Sequence, residues 1–295
     1  MFVIDQKLIE DTCVELLRQA VTKLPADVEN ALKKAYEAET SETGKTQLKA
    51  ILDNMKLAEE TSTPMCQDTG VPIFYVGLGT EAKIEGNLQE AVKNAVPRAT
   101  KDVPLRPNVV HPLTRKNPGT NVGEGMPYIN CSILPGKDYI EITAFPKGIG
   151  SENMSALAML KPVDGIAGVK RFVLDTVVKS GGQPCPPTII GVGIGGSSDI
   201  AMKLAKQALL RPLDRKHPEE LIANLELELL EAINSTGIGP MGLGGRTTSL
   251  GVNVEYACTH TGGLQVGVNT QCWAARRATV RIHSDGKVEW VTHPR

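Results

Sequence analysis

At 295 residues, 41% hydrophobic and 22% charged, the chain is long enough for one large domain or two modest ones. A formal net charge of −1 at pH 7 argues against the broad basic footprint that binds nucleic acid. No stretch is long and apolar enough to span a bilayer, and Met1-Phe2-Val3-Ile4-Asp5 opens an acidic amphipathic segment rather than a basic leader, so the expected location is cytoplasmic, with no membrane partner.

Residues 5 to 60 read as helices, with Ile9, Cys13, Leu16 and Leu17 at helical spacing and a second stripe from Val28 through Leu32 and Tyr36. Ser41 and Gly44 suit a turn and cap before a helix carrying Leu48, Ile51, Leu52 and Met55, and Pro64 ends any helix by residue 63. Next comes Met65-Cys66-Gln67-Asp68-Thr69-Gly70, then a β-branched and aromatic run from Val71 to Gly77 that reads as a strand. A thiol, an amide and a carboxylate therefore share one helix-to-strand connection, a common place for functional groups. Taken alone, such a cysteine is ordinarily a small buried hydrophobe.

Residues 84 to 100 read as a helix, followed by Pro104-Leu105-Arg106-Pro107-Asn108 and a turn-rich loop from Lys116 to Gly125. Tyr128 to Leu134 and Tyr139 to Phe145 alternate like a hairpin closed by Pro135-Gly136-Lys137-Asp138. The second of these runs into Pro146-Lys147-Gly148-Ile149-Gly150-Ser151-Glu152-Asn153 and an expected helix from Met154 to Leu160. Such a loop suits an anion, and equally an ordinary capped turn with Ser151 as the cap.

A helix from Val169 to Ser180 leads to Cys185, set between Pro184 and Pro186, and to a buried-type strand from Thr188 to Gly193. Gly191-Val192-Gly193-Ile194-Gly195-Gly196 fits GxGxxG ahead of a helix from Asp199 to Leu210, so a nucleotide-binding redox module is the rival reading. The acidic residue expected about twenty positions on is replaced by Arg211-Pro212, and another helix follows with no strand between, so the glycines read better as allowing close backbone approach. In Ser235 to Thr248 the anchors Ile238, Met241 and Leu243 suggest an ordered loop rather than a linker. Strands are expected from Leu250 to Tyr256 and Leu264 to Val268, with His260 in the loop between them, then a Cys272 turn and a closing hairpin.

The six cysteines form no CxxC pair, and a chain of this size needs no disulfide staple, so they are read as reduced. Cys13 falls on a helix stripe and Cys131 within a strand, so both are expected in the core, while Cys258 is ambiguous. Cys66, Cys185 and Cys272 share one character: each sits in a loop beside an expected strand, with polar or proline neighbours. Three such thiolates can hold zinc or an iron–sulfur cluster. Structural zinc usually shows close CxxC pairs, and a cubane on three thiolates leaves one iron open as a Lewis acid for adding or removing water.

Together, Cys66-Gln67-Asp68-Thr69-Gly70, Lys147 to Asn153, Cys185-Pro186-Pro187, Gly193-Ile194-Gly195-Gly196 and Cys272-Trp273-Ala274-Ala275-Arg276-Arg277 resemble the alpha subunit of class I, iron–sulfur-dependent fumarate hydratase. The L(+)-tartrate dehydratase alpha subunit is a near neighbour in the same resemblance. It implies an α/β fold with a helical N-terminal region (about 1–62), then mixed β-sheets flanked by helices with cluster-binding loops between elements, all in one alpha-type domain over 1–295. It implies a [4Fe-4S] cluster on Cys66, Cys185 and Cys272. Gln67, Arg106, Lys147 and Gly148 would bind a small C4 dicarboxylate, and Asp68 and His260 would take catalytic roles. A beta subunit would supply the rest of the active site. Ile149 departs from the pattern, standing where the fumarase loop has the middle of three glycines.

Overall fold

The computed structural model describes residues 3–294; Met1 and Phe2 of the expected amphipathic opening, and Arg295, lie outside the described residues. After a two-residue β1 (Ile4–Asp5), the chain forms α1 (Gln6–Thr22), α2 (Ala26–Ala38) and α3 (Glu42–Thr61). The Asp5 carboxylate caps α1 by accepting the Leu8 N–H at 2.7 Å, and Ser41 Oγ accepts the Gly44 N–H at 3.3 Å as α3 begins. Then come β2 (Ile73–Gly79), β3 (Ile84–Glu85), α4 (Leu88–Asp102), β4 (Tyr128–Leu134) and β5 (Tyr139–Ala144). A one-turn α5 (Ile149–Glu152) precedes β6 (Ala156–Leu160), α6 (Gly165–Ser180), β7 (Thr188–Gly195), α7 (Ser198–Ala208) and α8 (Glu220–Asn234). The chain closes with β8 (Ser249–Ala257), β9 (Leu264–Gln271), β10 (Ala278–His283) and β11 (Val288–Trp290). The class is α/β, with a helical start and mixed sheets flanked by helices.

The chain divides into two compact units: residues up to Ala26, Asn54–Gly148 and Arg276 onward in the first, and Asp27–Asp53 with Ile149–Ala275 in the second. The first is built on a five-stranded sheet in the order β11-β10-β5-β2-β4, in which only β2 and β4 run parallel. Helices α1 and α4 bury Leu16, Leu17, Val92 and Val96 against Phe74, Val76, Ile142 and Val280 of the sheet. The expected hairpin is corrected here, because β2 lies between β4 and β5. The Pro135–Asp138 turn instead wraps the end of β2, with the Glu81 N–H donating to Lys137 O at 2.9 Å. A side chain at Gly79 would place its Cβ 2.3 Å from that same carbonyl oxygen, so the crossing needs glycine. The expectation for Cys131 is corrected too: β4 is an edge strand, and Cys131 is exposed rather than in the core.

The second unit is a four-stranded sheet in the order β6-β9-β7-β8, with β7 and β8 parallel. On one face α6 and α8 cover Ile190, Val192, Val252, Val254, Val266 and Val268. On the other, α7 packs against β7 so closely that a Cβ at Gly193 would lie 2.0 Å from Ala201 O. The glycines of the GxGxxG run therefore serve close backbone approach, as their sequence setting suggested. The expected helix at Met154–Leu160 is a strand from Ala156, paired antiparallel with β9 from Ala156↔Val268 to Leu160↔Leu264. Good helix formers have yielded to a vacant sheet edge, a tertiary override of local propensity.

Candidate active site

In the first unit, six of the singled-out residues converge on the connection from α3 to β2. The Met65 N–H donates to Val21 O at 2.9 Å and Asn54 Nδ2 to Met65 O at 2.8 Å, mooring the backbone just before half-buried Cys66. Gln67 is exposed. Asp68 Oδ1 accepts from the Gly70 N–H at 3.0 Å and from Asn108 Nδ2 at 3.1 Å, which fixes the carboxylate plane. Thr69 Oγ1 accepts the Arg106 N–H at 3.0 Å, and Asn121 Nδ2 donates to Arg106 O at 3.0 Å. The Arg106 backbone is thus locked beside Asp68 while the residue itself stays exposed.

Gly70 is where this loop meets the next. Its φ is +83°, and a Cβ there would lie 2.6 Å from Pro146 C and 2.7 Å from Lys147 N. The contact is sealed by a pair of backbone bonds of 3.0 Å each between Val71 and Lys147. Lys147 is 1% exposed, so its side chain is enclosed by protein. Arg276, also 1% exposed, donates through Nη1 to Asp68 O, and its Nε has no hydrogen-bond partner. A Cβ on Gly148 would lie 2.8 Å from Arg276 Nη2 and 3.2 Å from Asp68 Oδ2. Asp68, Gly148 and the Arg276 guanidinium therefore pack without room for a methyl group, a buried cation beside a fixed carboxylate.

In the second unit, Cys185 and Cys272 stand at one end of the sheet. Cys185 has φ +55° and its N–H donates to Gly182 O at 3.1 Å, ahead of a cis Pro186–Pro187 bond. Cys272 follows β9 directly, and the next residue's N–H, from Trp273, donates to Cys185 O at 3.1 Å. Both thiols are half-buried. His260 is exposed in the β8–β9 connection, where its Nδ1 accepts the Gly262 N–H at 3.0 Å. β9 separates it from Cys272, a span of about 25 Å for an eight-residue strand. His260 lines a cavity of about 690 Å³ with Ile166, Val169, Leu221, Ile222 and Tyr256 instead.

The remaining thiols behave differently: Cys131 and Cys258 are exposed, and Cys13 is fully buried, with burial pushing its pKa up to about 12. Cys66, Cys185 and Cys272 alone combine partial burial with a loop setting, the donor chemistry a thiolate-held cluster asks for. Among the described residues, no three His, Cys, Asp or Glu side chains gather around a point that could hold a single metal ion.

The partners of the site were not legible in the sequence. Thr69, Asn108 and Asn121 hold backbone atoms across loops, and Arg276 reaches the backbone of a residue more than two hundred positions earlier. A run of turn formers around Asn108 and Asn121 was the one available signal.

An α/β protein with loop thiols, a carboxylate fixed by amide and backbone donors and a buried guanidinium on that residue's own carbonyl has the parts for moving water on or off a polar substrate. Comparison with known proteins agrees. The family model described as fumarate hydratase (Fumerase) matches residues 10–281, and the chain belongs to this hydro-lyase family. It is 56% identical over 283 residues to a Methanocaldococcus jannaschii protein provisionally named L(+)-tartrate dehydratase subunit alpha, covering 95% of this chain and 99% of the relative. It is 39% identical over 274 residues to the L(+)-tartrate dehydratase subunit alpha of Escherichia coli K12, covering 93% of this chain and 90% of that one. The Shigella sonnei subunit of the same name matches at the same identity and coverage.

Proposed function

We propose that the chain is the alpha subunit of a [4Fe-4S]-dependent hydro-lyase that interconverts fumarate and (S)-malate, with Cys66, Cys185 and Cys272 as cluster ligands. The observation that carries this reading is the family match over residues 10–281, which spans all three loop thiols. Such a cluster, when bound, supplies a Lewis acid for the hydroxyl that leaves or enters. Arg106 offers an exposed planar fork for a substrate carboxylate, on a backbone locked by Thr69 and Asn121. Gln67 hydrogen-bonds the substrate from the exposed rim of the same loop. Buried Lys147 contributes positive charge behind the Gly148 backbone, whose lack of a side chain leaves Asp68 and Arg276 in place. Asp68, its Oδ1 held by two donors, orients or activates the base that takes the C3 proton. That base lies on a beta subunit, which fits the name "subunit alpha" of the relatives.

The position of His260, at the far end of the sheet from Cys185 and Cys272, means that one copy of the second unit does not bring the three together. We therefore assign His260 to the site of a neighbouring copy, where it would hydrogen-bond near the leaving or attacking oxygen. In this reading residues 1–295 are a single alpha-type domain in sequence, working in the reducing cytoplasm that keeps three thiols available. A second reading, L(+)-tartrate dehydration, is favoured by the names of the relatives and uses the same residues.

Anaerobic iron and sulfide analysis of the wild type and of Cys66→Ser, Cys185→Ser and Cys272→Ser tests the ligand set. Each variant should lose the cluster, and normal iron content in any of them would remove that residue from it. Malate and each tartrate isomer, assayed side by side with the beta subunit present, decide the substrate.

A further inference from the structure

The loop from Ser235 to Thr248 carries five glycines, all with positive φ, and its apolar anchoring is partial: Ile238 packs against the core of the second unit, while Leu243 is 57% exposed. Backbone this free loses more than 1–2 kcal/mol per residue, roughly, when it is fixed, so something must hold it. Local turns close it on itself, with the Gly244 N–H on Ile238 O at 2.9 Å, and Asn234 Oδ1 holds its exit by accepting the Thr248 and Ser249 N–H groups at 2.9 Å. The other tie comes from the far side of the sequence. Glu39, 3% exposed just past the end of α2, accepts the Thr40 and Ser41 N–H groups through Oε1 at 2.8 and 2.9 Å. Its Oε2 accepts the Arg246 N–H at 2.8 Å, and the Thr247 N–H bonds the same carboxylate. Burial by itself would raise the Glu39 pKa, but the four backbone donors outweigh it and hold the group below the ordinary glutamate value, so the charged form is the one built in.

The loop held in this way rests on the cysteine segment. The Met241 N–H donates to Pro186 O at 2.8 Å, and Gly242 packs so tightly on Gly182 that a Cβ would lie 2.4 Å from its Cα. Gly182 O in turn accepts the Cys185 N–H, and Cys185 O accepts the Trp273 N–H beside Cys272. We propose that Glu39 is a positioning residue for the two thiols of the second unit, its carboxylate fixing the glycine loop that sets the backbone of Cys185 and, through it, the turn of Cys272. The wording of this role as support for a cluster rests on the proposed function; the coupling between Glu39 and the thiols does not.

The test is iodoacetamide labelling of the full-length, cluster-free chain, read cysteine by cysteine by mass spectrometry, for wild type, Glu39→Gln and Gly242→Ala. Glu39→Gln turns one acceptor oxygen into a donor facing N–H groups. Gly242→Ala breaks the same chain further on without touching the carboxylate. Both should speed labelling of Cys185 and Cys272 about tenfold, the factor that one lost charge-assisted hydrogen bond corresponds to, with Cys66 unchanged. Unchanged rates at Cys185 and Cys272 overturn the proposal. So does an equal rise at every cysteine, buried Cys13 included, which would mark Glu39 as a general stabiliser. Iron analysis of the wild type separates the two levels: no iron together with selective labelling refutes the cluster reading and leaves the coupling standing.

Discussion

Gly70→Ala probes the junction of the two first-unit loops that carry Asp68 and Gly148. An alanine held at φ +83° sits in the left-handed region, at about 1–2 kcal/mol. Its Cβ would also fall 2.6–2.8 Å from backbone atoms of Pro146 and Lys147, which cannot swing aside like a side-chain tip, and overpacking of this kind adds about 1–3 kcal/mol. A total near 3 kcal/mol lowers the melting midpoint by roughly 6–12 °C at about 2–4 °C per kcal/mol. Gly136→Ala separates the two contributions, because its φ is +69° but nothing lies within 4 Å of its Cβ. That variant should lose only the conformational part, roughly 2–8 °C. The assay is thermal unfolding followed by circular dichroism, with turnover measured on the subunit pair. Gly70→Ala should also lose most turnover, since relief of the clash moves Lys147-Gly148 away from Asp68. If Gly70→Ala melts like Gly136→Ala and turns over normally, the close crossing of the two loops is not what holds the site.

Arg276→Met should keep the fold by circular dichroism but cut turnover about a hundredfold, because Asp68 O loses its buried donor and small misplacements of reacting groups are costly. Asp68→Asn, which retains an Oδ1 acceptor for Gly70 and Asn108, should keep iron content and melting midpoint while losing most turnover; full activity would take Asp68 out of the mechanism. His293 is 7% exposed, and burial, aided by Lys23 and Arg277, lowers its pKa from 6.5 to about 4. The unfolded chain takes up this proton near pH 6.5 and the folded one only near 4, so this contribution to stability is complete above 6.5 and is lost as pH falls towards 4. The loss amounts to about 3 kcal/mol, and denaturant titrations of wild type against His293→Gln across that window should show it. Gly193→Ala, whose Cβ would meet Ala201 O at 2.0 Å, should destabilise the second unit by about 3 kcal/mol or more, and the wild type should show no saturable binding of NAD or NADP.

Much of the local structure was legible. The α1 stripe that includes Cys13 is buried as its spacing indicated, the cap at Ser41 is present, and the glycines from 191 to 196 bring α7 onto β7. The failures share one cause. The turn from Pro135 to Asp138 looks like a hairpin loop because its residues suit any tight reversal, and only the arrival of β2 between the flanking strands decides that it wraps a strand end instead. Met154 to Leu160 has helix formers in it, and its fate is set by the open edge of β9. Cys131 has a strand environment, but whether a strand is central or at an edge is a property of the sheet.

For the site, residue type and loop setting picked out the candidates, and the resemblance implied their roles: loop thiols, a carboxylate beside the first of them, and an arginine and a lysine on turn-rich segments. Side-chain chemistry and helical or strand period are local, so they can be read from neighbours in the sequence. Only the tertiary structure decided that Asp68 is fixed by Asn108 and Arg276, that Gly70 and Gly148 are glycines because loops cross there, and that Glu39 serves a loop two hundred residues away. It also decided that β9 stands between His260 and Cys272. Those outcomes are backbone hydrogen bonds and close approaches between distant segments, and such a bond can be made to any residue's N–H or C=O, so its partner leaves no mark on the sequence.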